Sequence, residues 1–343
     1  MKRLIALLMA LALLLGTCAF AAEEEKVVAP TVKFNSSFYL GYLNQEVKIT
    51  VSCTNKNSVT TPEKYLELRN HRGEVLERAF WRNPRTSLTF SVYVTEEMLG
   101  ANSLSVWYDG AEVSQSDAYA AFSDKELPRV KQLEPSEPAV APMIVCSGAT
   151  ERQLTAMLDV LDKYNVKATF YITGDFLSRT PDRVKRIVDA GHEIASHGNN
   201  LINMTEVSYD RARRNIRDLN DACEEVLGVR PRLFCAHLGA TNSAVTAIAR
   251  AEGVEDCLFA VDACDWSEEY RGKYNQMVYR VTCDRVTSGS LIQFHINGYQ
   301  SAEVLDAGLN NWINVRGYKI VTVSELMALS GRELPPLPDI PED

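Results

Sequence analysis

The side chains best able to do chemistry are five histidines, His71, His192, His197, His237 and His295, and seven cysteines beyond residue 21. The cysteines are Cys53, Cys146, Cys223, Cys235, Cys257, Cys264 and Cys283. Imidazole and thiolate are good zinc ligands, but these spacings fit no standard zinc finger. No Cys-x-x-Cys pair occurs, so the sequence carries no redox motif of that type. A thiol with a pKa near 8.5 is mostly protonated at neutral pH unless a neighbour lowers it. The odd count leaves at least one thiol free or intermolecular, and pairing is not readable from sequence. His71 falls in the turn His71-Arg72-Gly73 and is read as solvated.

The histidines gain meaning from the elements that position them. Val166 to Gly174 is apolar and β-rich, a buried strand closed by glycine. Pro181 to Gly191 reads as a helix, with Thr180 as its cap, Pro181 at its first position and Gly191 at its end. Gly191-His192-Glu193-Ile194-Ala195-Ser196-His197 is then a short strand that delivers His197 to a strand end, where parallel-barrel enzymes keep their chemistry. His192 is read as a core hydrogen-bonder. From Met143 onward strands and amphipathic helices alternate, which implies a parallel sheet or barrel. Leu154, Met157, Leu158 and Leu161 share one helix face, as do Ile216, Leu219, Cys223 and Val226 in a helix ending near Gly228. Further strands are expected over Leu233–Ala236, Cys257–Val261, Leu291–Ile296 and Lys319–Val323.

The first third of the chain reads differently. Val47, Ile49 and Val51 alternate with polar neighbours, as do Leu88, Phe90, Val92 and Val94, and Leu104, Val106 and Tyr108. Turn signals separate them at Asn55-Lys56-Asn57, His71-Arg72-Gly73, Asn83-Pro84 and Asp109-Gly110. About seven short strands predict an immunoglobulin-like sandwich over residues 30–122, with an irregular β-rich spacer as the alternative. Residues 123–142 hold Pro128, Pro135, Pro138 and Pro142 among charges and read as a linker whose end can pack on the second domain. The second domain spans residues 143–331.

Met1-Lys2-Arg3, the apolar run Leu4 to Leu15 and Ala19-Phe20-Ala21 have the form of a secretory signal over residues 1–21. The run is too short for a bilayer, which needs about 20 apolar residues, and no transmembrane segment is expected in the mature chain. Cys18 offers a lipoprotein site, although Thr17 suits one poorly. A secreted or cell-surface location follows, in a compartment that permits disulfides. Losing Lys2 and Arg3 takes the net charge from −9 to −11, which argues against nucleic acid as a partner. It also gives no reason to expect a strongly anionic glycan as substrate.

The stretch Val166-Lys167-Ala168-Thr169-Phe170-Tyr171-Ile172-Thr173-Gly174, the run Gly191-His192-Glu193-Ile194 to His197, and Asn203-Met204-Thr205 with Ser208 resemble the polysaccharide deacetylase (NodB-homology, carbohydrate esterase) family. The resemblance covers roughly residues 140–331, through Gly317-Tyr318-Lys319-Ile320-Val321-Thr322-Val323-Ser324-Glu325-Leu326. It implies an α/β fold, a distorted and incomplete (β/α) barrel. It also implies removal of acetyl groups from glycans by a divalent metal held on one aspartate and two histidines. A second aspartate would be general base and a late histidine general acid.

Carried across residue by residue, the first motif falls on Ile144-Val145-Cys146-Ser147-Gly148, which puts Cys146 at the base position and Ser147 at the metal aspartate. The second keeps His197 as a metal histidine but places Leu201 where its partner belongs. The third falls on Phe234-Cys235-Ala236-His237-Leu238-Gly239, with Cys235 replacing the arginine, Leu238 at the oxyanion position and His237 new. Asp262-Ala263-Cys264-Asp265-Trp266 is intact, with Asp265 orienting the acid and Trp266 walling the groove. Ser290-Leu291-Ile292-Gln293-Phe294-His295 keeps His295 as the acid but has Gln293 lining the acetate-methyl pocket.

One histidine and a hydroxyl fall short of the usual three protein ligands, so no cofactor is expected, or zinc if the protein is active. The resemblance then implies an exported, non-catalytic family member, a pseudoenzyme binding a cell-envelope glycan or acetylated polysaccharide, or serving as a scaffold. The competing reading is an active metal-dependent hydrolase of C–N (non-peptide) bonds in acetylated polysaccharide, with atypical ligands. Residues at the Cys146 and Cys235 positions touch in the family, so the resemblance also raises a Cys146–Cys235 disulfide, with two reduced buried thiols as the alternative. Two further readings are a metal site from Cys146, His197 and Cys235 or His237, and Cys146 as a nucleophile with His197 or His295 as base.

Overall fold

The computed structural model describes residues 29–54, 64–81, 87–116, 118–123 and 129–337. The leader with Cys18, the turns at Asn55-Lys56-Asn57 and Asn83-Pro84, and Pro128 lie outside the described residues.

The amino-terminal strands are β1 (Thr31–Phe34), β2 (Phe38–Tyr42), β3 (Glu46–Thr54), β4 (Lys64–Arg69), β5 (Val75–Trp81), β6 (Ser87–Tyr93), β7 (Gly100–Tyr108), β8 (Ala111–Glu112) and β9 (Ala118–Ser123). They form two sheets, β1-β3-β6 and β2-β9-β7-β4-β5, with β8 on β7. The period-two pattern has its expected effect: Leu88, Phe90, Val92 and Val94 point inward and alternate with exposed neighbours. They meet Leu66, Leu68, Trp81 and Val106 from the other sheet in one buried cluster.

The second unit is built on a parallel sheet of β10 (Ala139–Cys146), β11 (Thr169–Ile172), β12 (Glu193–Ser196), β13 (Leu233–Phe234), β14 (Glu255–Asp256), β15 (Val261–Asp262), β16 (Leu291–His295) and β17 (Lys319–Ile320). The order is β14-β13-β12-β11-β10-β16-β15, with β17 beside β10, and β14 does not pair with β15. The barrel is therefore incomplete. The expected strand over Cys257–Val261 does not form as such. Its two ends join opposite edges of the sheet, Glu255–Asp256 on β13 and Val261–Asp262 on β16.

Helices cover the outer face: α1 (Glu151–Lys163), α2 (Gly174–Arg179), α3 (Pro181–Asp189), α4 (Tyr209–Leu227), α5 (Ser243–Ala251), α6 (Tyr274–Thr282), α7 (Ser301–Asn310) and α8 (Val323–Leu329). Thr150 and Gln153 close a capping box on α1, and Gly228 ends α4 at φ 68°. Thr180 does not cap α3. Its hydroxyl bonds back to the Phe176 carbonyl, finishing α2 instead. Ile144, Cys146, Phe170, Ile172, Ile292 and Phe294 face the helices. Met143, Tyr171, Ala195, Leu233, Cys235 and Leu291 face the barrel interior, which Val323, Leu326 and Met327 of α8 plug from below.

The proline-containing segment is not a free connector. Val130 and Leu133 are buried, and Val130 bridges Cys257 while Gln132 bridges Ser290. The Val130 amide donates to the Asp256 carbonyl (3.0 Å), and the Leu133 amide donates to Gly289 (3.0 Å). Residues 130–133 thus strap the gap between β14 and β16, and Ala139 to Cys146 is the central strand. Proline at 142 is tolerated inside that strand, although it removes one ladder donor.

Candidate active site

Each strand ends at the same rim of the half-barrel, and the rim collects the histidines. His197 follows β12, His237 opens the turn after β13, and His295 ends β16. His197 and His237 meet edge to face with centroids 5.8 Å apart, and Trp266 meets His295 the same way at 6.3 Å. The His197 Nδ1 lies 2.7 Å from the Cys235 carbonyl, so Nδ1 carries the hydrogen and Nε2 is left free. Burial, with lesser pushes from His237 and His295, lowers the His197 pKa to about 3, and burial also lowers that of His237. His197 is therefore a neutral imidazole at any ordinary pH.

The most tightly built part is the Asp265–His295 pair. Asp265 is fully buried; one carboxylate oxygen accepts from the His295 amide at 2.8 Å, and the other lies 2.9 Å from His295 Nδ1. That fixes the ring and leaves its Nε2 directed away from the carboxylate. Asp262 accepts from the Cys264 amide (2.8 Å) and from Trp266 Nε1 (2.9 Å), which holds an indole that is 58% exposed. Cys264 sits at φ 59°, which lets this loop reverse sharply. Among the described residues Asp262, Asp265 and His295 are the one group of three whose ligand atoms lie within 4.8 Å of one another. Their carboxylate oxygens already serve Cys264, Trp266 and His295, so this is a hydrogen-bonded frame.

Ser147 lies immediately beyond β10. Leu201 is half exposed in the loop after His197, and Leu238 is exposed at φ 60° beside His237. Gln293 is buried, and strand alternation puts it on the interior face with Leu291. A cavity of about 800 Å³ beside Asp262 and Arg280 opens on the barrel flank and includes none of the rim histidines.

The Cys146–Cys235 pair is corrected by the register. Cys146, Ile172, Ser196 and Phe234 form one row across β10 to β13, so they share a face. Cys235 follows Phe234 and faces the other way, into the barrel interior, while Cys146 packs among the helices. All seven cysteines are free, and burial raises the Cys146 and Cys235 thiols well above their ordinary range. Cys146 consequently does not reach His197 or His295 as a nucleophile, and neither thiol joins a metal set at the rim. We expect intact mass to show no two-hydrogen deficit. Among the described cysteines, a thiol reagent should label only the half-buried Cys264 and Cys283 before unfolding.

His192 is buried, and its Nδ1 accepts from the Ala168 amide at 3.3 Å, as a core hydrogen-bonder should. Burial lowers its pKa from 6.5 to about 4. The folded protein therefore resists the proton that the unfolded chain takes up. Stability from this group is complete above pH 6.5 and falls as pH drops toward 4, by about 3 kcal/mol. Asp256, with a pKa raised by burial to about 6, works in the opposite sense over that range. The effect is isolated by His192→Asn, which keeps an acceptor. Its urea midpoint should depend less on pH between 7 and 4 than the parent's.

Fold and rim together define a parallel half-barrel of the carbohydrate-esterase type. Residues 147–256 match the family described as Polysaccharide deacetylase. The chain is 31% identical to the uncharacterized protein YlxY of Bacillus subtilis, over 56% of this chain and 58% of that protein. It is 26% identical to the solved structure of peptidoglycan deacetylase PdaC from Bacillus subtilis, with a TM-score of 0.51, covering 58% of this chain and 94% of that one. Against the crystal structure of BA3943, described as a CE4 family pseudoenzyme from Bacillus anthracis, the TM-score is 0.55 at 24% identity over 65% of this chain and 75% of that one; this likeness concerns the fold alone. The barrel unit thus carries a domain of the polysaccharide deacetylase, NodB-homology type. It spans about half the length of the curated relatives it matches, 58% of YlxY and 41% of PdaC. No helix among the described residues is long and apolar enough to cross a membrane.

Proposed function

We propose that this is an exported, non-catalytic member of the family that holds a cell-envelope glycan in its rim groove. The observation that carries the reading is the donor set. At the positions matching the family's metal ligands stand Ser147, His197 and the half-exposed Leu201, so the set lacks the anionic and second imidazole donors of a catalytic metal. Without that metal there is no Lewis acid for an acetyl carbonyl. The retained half is suited to binding: His295, locked on Asp265, offers one ring nitrogen, and Trp266 presents an indole face for a sugar ring. In this reading the amino-terminal strands form an immunoglobulin-like sandwich that precedes the barrel behind a signal peptide.

The contact between His197 and His237 favours a second reading, a deacetylase acting on C–N bonds with a relocated metal in which His237 replaces the missing histidine. One experiment separates the two. Purified protein is dialysed against zinc, its metal content measured, and acetate release followed on chitooligosaccharide and acetylated xylan. The non-catalytic reading expects less than a tenth of an equivalent of zinc and no acetate, with glycan binding lost in Trp266→Ala. Stoichiometric zinc with acetate release that His237→Ala abolishes would establish the second reading instead.

A further inference from the structure

Away from the rim, a cavity of about 870 Å³ lies between the amino-terminal sheet and the barrel flank. Five arginines line it: Arg72 from the turn after β4, Arg213 and Arg217 one turn apart on α4, Arg230 beyond that helix, and Arg250 near the end of α5. The two lining carboxylates are Asp221 and Glu252. A concentration of guanidinium groups in a chain of net charge −9 calls for a physical reason.

The arginines are not exhausted by their internal partners. Arg230 meets both Asp221 and Glu224 through the same terminal nitrogen, each at 2.7 Å, which leaves its other terminal nitrogen unused. Arg250 uses one terminal nitrogen, at 3.1 Å from Glu255. The Nε groups of both are buried without a hydrogen-bond partner. Buried donors are ordinarily satisfied, and each exception calls for an explanation, an ordered water or a bound ion among them. Arg213 and Arg217 share Glu252, and Arg213 also meets the Tyr119 side chain. Arg72 is held by Glu74 and by the Glu97 carbonyl.

We propose that this cavity binds a phosphate ester. A guanidinium fork donates two parallel bonds to a phosphate, and tetrahedral oxygens can accept from several forks at once. A carboxylate cannot span such a set, and carboxylates already occupy the inner positions. The space exceeds a single ion and admits the polyol or sugar to which the phosphate is joined. The site is distinct from the rim groove and does not depend on the reading given for it.

The test is calorimetric titration of the full chain with inorganic phosphate, an oligomer of glycerol phosphate, and a neutral chitooligosaccharide of similar size. Both phosphate probes should bind, with affinity falling as salt is raised. A glycerol phosphate oligomer at least tenfold tighter than the free ion supports the ester; equal affinities would overturn it in favour of a free-ion site. The double variant Arg230→Lys, Arg250→Lys keeps both ion pairs but removes the spare donors, and should weaken phosphate at least tenfold with unchanged binding of the neutral glycan. Should that variant misfold, Arg72→Gln, on an exposed turn, should weaken phosphate about threefold. Absence of binding at 10 mM of either phosphate probe, or unchanged affinity in the folded variants, would overturn the proposal.

Discussion

Replacing Glu252 with alanine should lower the unfolding free energy by about 3 kcal/mol, toward the lower end of the range for breaking a buried ion pair. The carboxylate is 1% exposed just past α5, where Arg217 reaches it at 2.8 and 3.0 Å and Arg213 binds it through Nε. Those arginines sit four residues apart on α4, so one anion fastens two helices. Its loss leaves two cations facing each other without compensation. Both retain partial solvent access, 29% and 37%, which moderates the penalty. Glu252→Gln should cost less, because its carbonyl still accepts. Urea unfolding of the three proteins measures the order, and a Glu252→Ala loss below about 1 kcal/mol would contradict this account.

A comparable loss is expected from Gly289→Ala. Gly289 has φ +87°, and a Cβ there would lie 1.8 Å from the Leu133 carbonyl oxygen and 2.7 Å from its carbon. Neither atom belongs to a flexible side chain, so the strap over residues 130–133 must shift. Backbone strain and the displaced contact together should amount to about 3 kcal/mol. Gly272 is the matched control: its φ is +74° but nothing lies within 4 Å of the added Cβ. Gly272→Ala should cost only about 1–2 kcal/mol, the left-handed penalty alone. Limited proteolysis should also cut the Gly289→Ala protein between residues 129 and 138 faster than the parent.

Much of the barrel was legible because its signals are local. Gly228 stops α4, and the apolar faces of α1 and α4 repeat at helical spacing. The Asp265–His295 pair was legible through motif resemblance, although only the folded structure shows both carboxylate oxygens engaged. What stayed hidden depends on register and on contacts between distant segments. The opposite facing of Cys146 and Cys235 follows from how β10 to β13 align, and strand parity within either segment does not reveal that. The division of residues 255–262 between two sheet edges is likewise a tertiary choice. A short apolar run fits one strand as readily as two strand ends. The arginines of the flank cavity are spread from residue 72 to residue 250, and no window of sequence brings them together.

The strap has a practical consequence for dividing this protein. A fragment begun at Ala139, the first residue of the central strand, would omit the backbone that fills the barrel's open seam. It would leave the Asp256 and Gly289 carbonyls without the donors that Val130 and Leu133 supply. It would also bare an edge of β14 to other chains. A recombinant barrel has to start upstream of Val130 if it is to stay monodisperse, whatever the sheets before it turn out to recognise.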